Sequence, residues 1–472
     1  MQAPTATTAV LAAAALALIT MPLAAEADAD NTPQQQQQRT QATARLPNVV
    51  VIVADDQAES TMDAMPTVRS QIRDLGVTLE TGIIPTSTCC PSRTALLSGK
   101  YSHTTGVYKN KGDGWPAFHD SGAENDTFAV ALDDLGYRTA MFGKYLNGFA
   151  LAPSDYVPPG WDTFRAIWDP DSDPRLSAGA YYNYVIRGTG PNTSHGDLPA
   201  DYSTDVIADM AVDFITSTPA DQPLLLYAAP TGPHAPFTPA PRDEGLWHRE
   251  KLPPSVTTLT KGRADHWPDT TLDYRAMQRK LKSHHEALMS VDDAVGDIID
   301  ALGPERTANT LFIYLSDNGL QFGEHGLKDK YVPFSGSTDV PMFLRWDGHI
   351  EADSSYQRPV TNADLGETIV DAVSTKFAFT EGVSYFEADR PTGVLLEAAR
   401  DPEHPAYCGW RTRRYMYAKY NSGGAELFDY RRDPYELQNV IDQRRYSDVK
   451  SQLRAAATEA CSPVPPRFSW TR

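Results

Sequence analysis

Four stretches of this chain are apolar at successive positions rather than at alternate ones: Asn48–Ala54, Arg138–Phe142, Leu224–Ala229 and Thr310–Ser316. Continuous runs of this length predict strands buried on both faces. Between them the spacing changes to that of helices. Asn125 or Asp126 can cap a helix through Leu135 that ends at Gly136. Ser203–Ile215 and Tyr274–Leu302 carry apolar residues at helical spacing, and the second stops at Gly303. Strand and helix in alternation predict an α/β fold, with a large and mostly parallel sheet sandwiched by helices. Near the end the runs shorten and alternate, in Tyr415–Tyr420 and Glu426–Tyr430, which predicts a small antiparallel sheet. The expected organisation is a larger domain over 46–348 and a C-terminal subdomain over 349–472.

Each long run stops at polar residues. Asn48–Ala54 ends at Asp55-Asp56, and Arg138–Phe142 at Gly143-Lys144. Leu224–Ala229 leads to His234 between Pro233 and Pro236, and Thr310–Ser316 ends at Asp317-Asn318-Gly319. Ligands of open parallel sheets bind beyond the carboxyl ends of the strands. Asp55, Asp56, Lys144, His234, Asp317 and Asn318 are therefore expected to meet. Taken singly, each also reads as a turn residue, a solvated lysine or a rigid-loop histidine.

The N-terminus changes the picture of where the chain works. Ala9–Ala25 is small and apolar, and A-x-A sites follow at Ala25–Ala27 and Ala27–Ala29. This predicts a cleaved export signal over 1–27, although no Lys or Arg precedes the apolar stretch; an uncleaved anchor is the other reading. Residues 28–45, with the Gln34–Gln38 run, read as a disordered leader. The expectation is a secreted protein with no stable membrane insertion. Export also allows a Cys408–Cys461 disulfide, against the alternative of two free thiols.

With 42 Lys and Arg against 61 Asp and Glu, the net charge is −19, which argues against nucleic acid and anionic membranes as partners. An acidic chain that handles an anion must gather its cations locally.

The most specific signal is Cys89-Cys90-Pro91-Ser92-Arg93-Thr94-Ala95-Leu96-Leu97-Ser98-Gly99. Two adjacent cysteines could be a vicinal disulfide or buried small hydrophobes, and no further Cys or His follows at zinc spacing. The string fits C-x-P-S-R-x-x-x-L-S/T-G and resembles the maturation motif of type I, formylglycine-dependent sulfatases of the alkaline phosphatase superfamily. That resemblance implies a sulfuric ester hydrolase whose Cys89 is oxidised to formylglycine by a formylglycine-generating enzyme.

It further implies that Asp55, Asp56, Asp317 and Asn318, with modified Cys89, ligate one cation. Oxygen donors of this kind suit Ca²⁺ or Mg²⁺, and the family usually uses Ca²⁺. Arg93, Lys144 and Lys330 match positions that hold the nucleophile and the sulfate, with Lys328 as a competitor of Lys330. His234 matches the histidine facing the leaving group. Many arylsulfatases carry Gly-Lys-Trp-His where this chain has Gly143-Lys144-Tyr145-Leu146-Asn147. His325 and Asn147 are then the candidates for the missing base and for substrate contact. The Gly143–Asn147 string, the Cys-Cys start and Val157-Pro158-Pro159-Gly160-Trp161 resemble the N-acetylglucosamine-6-sulfatase group, which implies a sulfated sugar or an aryl sulfate as substrate. A formylglycine-dependent phosphonate or phosphodiester hydrolase is the alternative, and a non-catalytic carbohydrate-binding protein is a third.

Overall fold

The structure, a computed structural model, describes residues 46–471 apart from 169, 171, 174–178, 249–250 and 268–271. The predicted signal and leader, 1–45, lie outside the described residues. Among the described residues the main sheet has ten strands: β1 (Asn48–Ala54), β2 (Val77–Leu79), β3 (Arg138–Gly143), β4 (Thr163–Trp168), β5 (Tyr184–Gly188), β6 (Thr193–His195), β7 (Leu224–Ala229), β8 (Thr310–Ser316), β9 (Met342–Arg345) and β10 (Ser354–Tyr356). Their order is β10-β2-β9-β8-β1-β7-β3-β4-β5-β6. The five central strands, β8 to β4 in that order, are all parallel. β9 joins antiparallel at one side and β5 and β6 at the other, so the sheet is mixed at its flanks.

The apolar runs are continuous because both faces of the sheet are covered. Val49, Val51 and Val53 of β1 enter one core with residues of α1 (Cys89–Ser98), α3 (Phe128–Asp133) and α6 (Asn362–Ala372). Val50, Ile52 and Ala54 enter a second core with α4 (Ser203–Ser217) and α5 (Tyr274–Ala308). Burying each such Val or Ile side chain stabilises the fold by about 1.5–3 kcal/mol. A short helix, α2 (Gly114–Asp120), lies between α1 and α3 in the chain.

Three expectations need correction. The helix before Gly136 is capped by Thr127, whose hydroxyl accepts from Val130 N–H, rather than by Asn125 or Asp126, and it spans only Phe128–Asp133. The helix from Tyr274 does break at Gly303 (φ 66°), but one more turn from Pro304 carries the element to Ala308. The boundary at 348/349 falls inside the main unit. β10 pairs with β2, and α6 packs on α1, where Asn362 Nδ2 donates to Ser92 O (2.6 Å) and Oγ (2.9 Å). A Cβ on Gly366 would lie 2.3 Å from Leu96 O, so this helix contact requires glycine.

The separate sheet begins later. It is four-stranded and antiparallel, in the order β11 (Gly393–Ala398), β12 (Tyr407–Thr412), β13 (Tyr415–Tyr420) and β14 (Ala425–Asp429). The helix α7 (Ser447–Ala460) follows it. The Cys408–Cys461 disulfide joins β12 to the residue after α7. Among the described residues no helix is long and apolar enough to cross a membrane.

Candidate active site

The strand ends converge as their polarity suggested. Asp55 and Asp56 follow β1, and the Asp55 carboxylate accepts from Lys144 Nζ at 2.7 and 2.6 Å. Lys144 reaches it because β3 ends in Gly143 at φ 104°, where a Cβ would lie 2.1 Å from Ala229 O. Only glycine fits that close approach.

Asp56 stands at φ 65°. Its N–H donates to Asp317 Oδ1 (3.0 Å), and its carbonyl accepts from His284 Nε2 (3.0 Å). Its carboxylate accepts from Asn318 Nδ2 (2.8 Å) and contacts Lys330 Nζ.

Cys89 opens α1 and is 1% exposed. Its Sγ accepts from Lys330 Nζ at 2.8 Å and lies 3.9 and 3.8 Å from Asp55 and Asp56. Arg93, one turn along α1, ties the helix to β8: Nε donates to Asp317 Oδ2 (2.8 Å) and Nη1 to Lys144 O (2.9 Å). His234 Nε2 lies 3.6 Å from Asp56 Oδ2, while Nδ1 meets Ala235 O at 2.7 Å. The His234 side chain is 37% exposed and stands at the mouth of the site.

Burial pushes the Asp55 carboxyl up, against the opposing pull of Lys144. At Asp56 burial is outweighed by Lys330, His234 and Lys144, which hold it well below the usual carboxylate range. At Asp317 burial is likewise outweighed by Arg93 and Lys144. Burial would lower Lys144, but Asp55 and Cys89 raise it to about 12. The Cys89 thiol itself is pushed up by burial, which disfavours a thiolate.

Ligand atoms of Asp55, Asp56, Cys89 and His234 all lie within 4.8 Å of one another. Asp317 joins this group through Asp56 N–H and Arg93. Asn318 joins through its Nδ2, and its Oδ1 is buried with no hydrogen-bond partner among the described residues. An orphaned buried oxygen beside three carboxylates fits a hard divalent cation such as Ca²⁺ or Mg²⁺.

A cavity of about 550 Å³ opens over this cluster, lined among others by Asp55, Lys144, Asn147, Tyr181, Thr231 and His234. Asn147 therefore lines the cavity over the cluster. Lys330, not Lys328, reaches Cys89, since Lys328 is exposed on a two-stranded ladder with Phe322. His325 is not brought to the cavity. Its ring lies between Thr260 Oγ1 (2.8 Å) and Glu436 Oε2 (3.5 Å) and stacks on Phe334, and this positive-φ residue packs on the C-terminal part.

Two residues escaped the sequence reading. His284 holds the Asp56 carbonyl from α5. Asn110 lines the cavity and accepts from Cys90 N–H through Oδ1 (2.9 Å), supplying a partner for a free donor at the start of α1. Neither lies near a motif, and helical periodicity hides His284 among core positions.

The sulfatase family matches residues 47–375. Human N-acetylglucosamine-6-sulfatase is 31% identical over 354 residues, 70% of this chain and 61% of that relative. The chain thus spans about 60% of the length of the human, goat and cattle N-acetylglucosamine-6-sulfatases. A protein solved with its substrate D-glucosamine-2-N,6-O-disulfate shares the fold, with TM-score 0.76, 20% identity and coverage of 88% of this chain and 97% of that one. The phosphonate monoester hydrolase of Agrobacterium radiobacter shares it too, with TM-score 0.69, 18% identity and coverage of 88% and 96%. By the extent of the family match and by the site at its strand ends, this chain belongs to the sulfatase family.

Proposed function

We propose that the chain hydrolyses sulfate monoesters of sugars, with 6-O-sulfated glucosamine as the preferred class, and that it does so outside the cytoplasm. The observation that carries the reading is the position of Cys89. It begins α1 inside the C-x-P-S-R string, with Lys330 at 2.8 Å and Asp55 and Asp56 beside it. A thiol pushed up by burial is a poor nucleophile there, so Cys89 as encoded does not suit the site. Oxidised to formylglycine by a maturation enzyme, it would supply a hydrated aldehyde oxygen for attack on sulfur. Asp55, Asp56, Asp317 and Asn318 would hold a Ca²⁺ or Mg²⁺ ion, which supplies positive charge at that oxygen and at the sulfate.

The remaining work falls to this chain's own groups. Lys144 and Lys330 stay charged and flank the reacting centre, where they neutralise the sulfate oxygens. Arg93 keeps Asp317 charged and aimed, and the start of α1 adds its dipole for an anion. His234, at the mouth, is placed to give a proton to the leaving alcohol from Nε2, with Nδ1 held by Ala235 O. Asn147 and Tyr181 line the space for the sugar. The Cys408–Cys461 disulfide suits an oxidising compartment and supports the export reading.

The test is release of inorganic sulfate from N-acetylglucosamine 6-sulfate by purified protein matured with a formylglycine-generating enzyme and supplied with Ca²⁺. No release, with faster turnover of a phosphonate monoester, would move the chain to the alternative hydrolase that shares this fold.

A further inference from the structure

A larger cavity lies away from the active site. It has a volume of about 910 Å³ and shares no lining residue with the cavity over Cys89. One wall is the outer side of β13 and β14, a second is α7, and a third is the Gly262–His266 loop. Arg263, Lys419, Lys450 and Arg454 line it, against two carboxylates, Asp265 and Asp442. In a chain of net charge −19, four cations gathered at one cavity are a local reversal of sign.

Arg263 donates to His325 O (3.0 Å). Among the described residues, Lys419, Lys450 and Arg454 form no ion pair. Lys419 Nζ donates only to Gly424 O (3.1 Å), and Lys450 Nζ only to Ile441 O (3.4 Å). Burial and the nearby Arg454 both push the Lys419 ammonium down, so the group is held at a cost to the folded protein. Four cations against two carboxylates, three of the cations without an ion pair among the described residues, leave the cavity net positive and suited to an anionic ligand.

The rest of the lining narrows the ligand. Trp470 offers aromatic surface. The Ser422-Gly423-Gly424 turn, with both glycines at positive φ, brings a hydroxyl and bare backbone to the rim. Aromatic surface, hydrogen-bonding backbone and cations together suit a saccharide carrying anionic groups. A densely charged nucleic acid would meet the repulsion of the whole acidic surface as well.

We propose that this cavity is a second, non-catalytic binding site for an anionic oligosaccharide, holding a segment of the glycan other than the one being desulfated. The choice of a glycan rests on the sulfated-sugar reading of the active site; the cation cluster does not.

The experiment compares the matured, Ca²⁺-loaded protein with its Lys419→Ala/Arg454→Ala variant by isothermal titration calorimetry. The probes are a sulfated glucosamine–uronate hexasaccharide, the same hexasaccharide stripped of sulfate, and a single-stranded DNA hexamer. The sulfated probe is expected to bind the native protein about tenfold more tightly than the variant and to weaken with added salt. Retention of the desulfated probe assigns the recognition to carboxylates, and its loss assigns it to sulfates; both support the site. Equal affinity of native and variant proteins for the sulfated probe, or DNA bound as tightly as the glycan, would overturn it. Both proteins should hydrolyse the monosaccharide sulfate alike. Failure of that hydrolysis with variant-sensitive binding intact would reject the proposed activity and leave the second site standing.

Discussion

His284 donates from Nε2 to the carbonyl of Asp56 across 3.0 Å, from the middle of α5 to the end of β1, and Asp56 is held there at φ 65°. A left-handed non-glycine residue costs about 1–3 kcal/mol unless its surroundings fix it. Burial keeps His284 neutral by lowering its pKa to about 3, so the hydrogen bond does not depend on pH near neutrality. His284→Ala should leave the carbonyl unpaired at about 1–3 kcal/mol and raise the Ca²⁺ concentration needed for half-maximal activity. His284→Gln, which can still donate, should recover most of the Ca²⁺ response. A calcium titration of the two variants checks this. Equal responses in both would make His284 a packing residue only.

Cys89 and Cys90 are adjacent and both buried, yet only Cys89 lies beside Lys330 and the carboxylates. Cys90 Sγ lies near Asn147 O instead, 4.0 Å away. Peptide mass spectrometry of active protein should show an aldehyde at residue 89 and a thiol at residue 90. Cys90→Ala should remain active, whereas Cys89→Ala should be inactive and folded. An unmodified thiol at Cys89 in working enzyme would end the formylglycine mechanism.

Asp317 and Asn318 are neighbours with different burdens. Asp317 compensates Arg93, which is 1% exposed, while Asn318 Oδ1 has no partner among the described residues. Asp317→Ala strands a buried guanidinium and should cost about 3–5 kcal/mol, read as a lowered Tm. Asn318→Ala should keep Tm near that of the parent and lose the stabilisation by added Ca²⁺. Equal Tm losses in the two variants would contradict this division of roles.

His234 stands at the mouth of the site, and in the proposed reaction it serves the leaving group. His234→Ala should slow hydrolysis of a sugar sulfate, whose alkoxide leaves poorly, far more than that of nitrophenyl sulfate. Equal losses on the two substrates would assign it to binding.

His103 joins the main unit to β11, with Nδ1 at 3.0 Å from Glu397 and Nε2 at 2.8 Å from Glu381. Burial alone would lower its pKa, but the two carboxylates raise it to about 10 from 6.5. Its charge therefore stabilises the fold fully below pH 6.5, and that contribution fades as pH rises toward 10. Melting curves between pH 6.5 and 10 should show a steeper fall of Tm for the native protein than for His103→Gln. Parallel curves would exclude the pairing.

The strand ends could be read from the sequence because a doubly covered strand has no choice but continuous apolar residues. The charged residues that follow β1 and β8 are then visible against them. What could not be read is what reaches the site from a distance. Asn110 and His284 act across the fold on the N–H of Cys90 and the carbonyl of Asp56, and a backbone partner leaves no pattern in sequence. His325 was misplaced because its neighbour Lys330 does reach Cys89. At φ 58° the intervening turn sends the histidine ring to Thr260 and Glu436. The subdomain boundary failed similarly, since α6 follows the expected break yet donates Asn362 to Ser92 of α1.

Under the proposed maturation, the burial of Cys89 also fixes an order of events in the life of the chain. Its sulfur sits under Lys330, between two aspartates and against β1, on a helix whose every residue is buried. No second protein can surround that side chain once β1, β8 and α1 have assembled. An enzyme that oxidises it would have to meet the Cys89–Arg93 stretch while it is still an open peptide, before β1 and β8, which come from distant parts of the chain, have closed on it. Such a maturation would be a race against folding, and a fast-folding batch of this protein would be a well-ordered, permanently immature one.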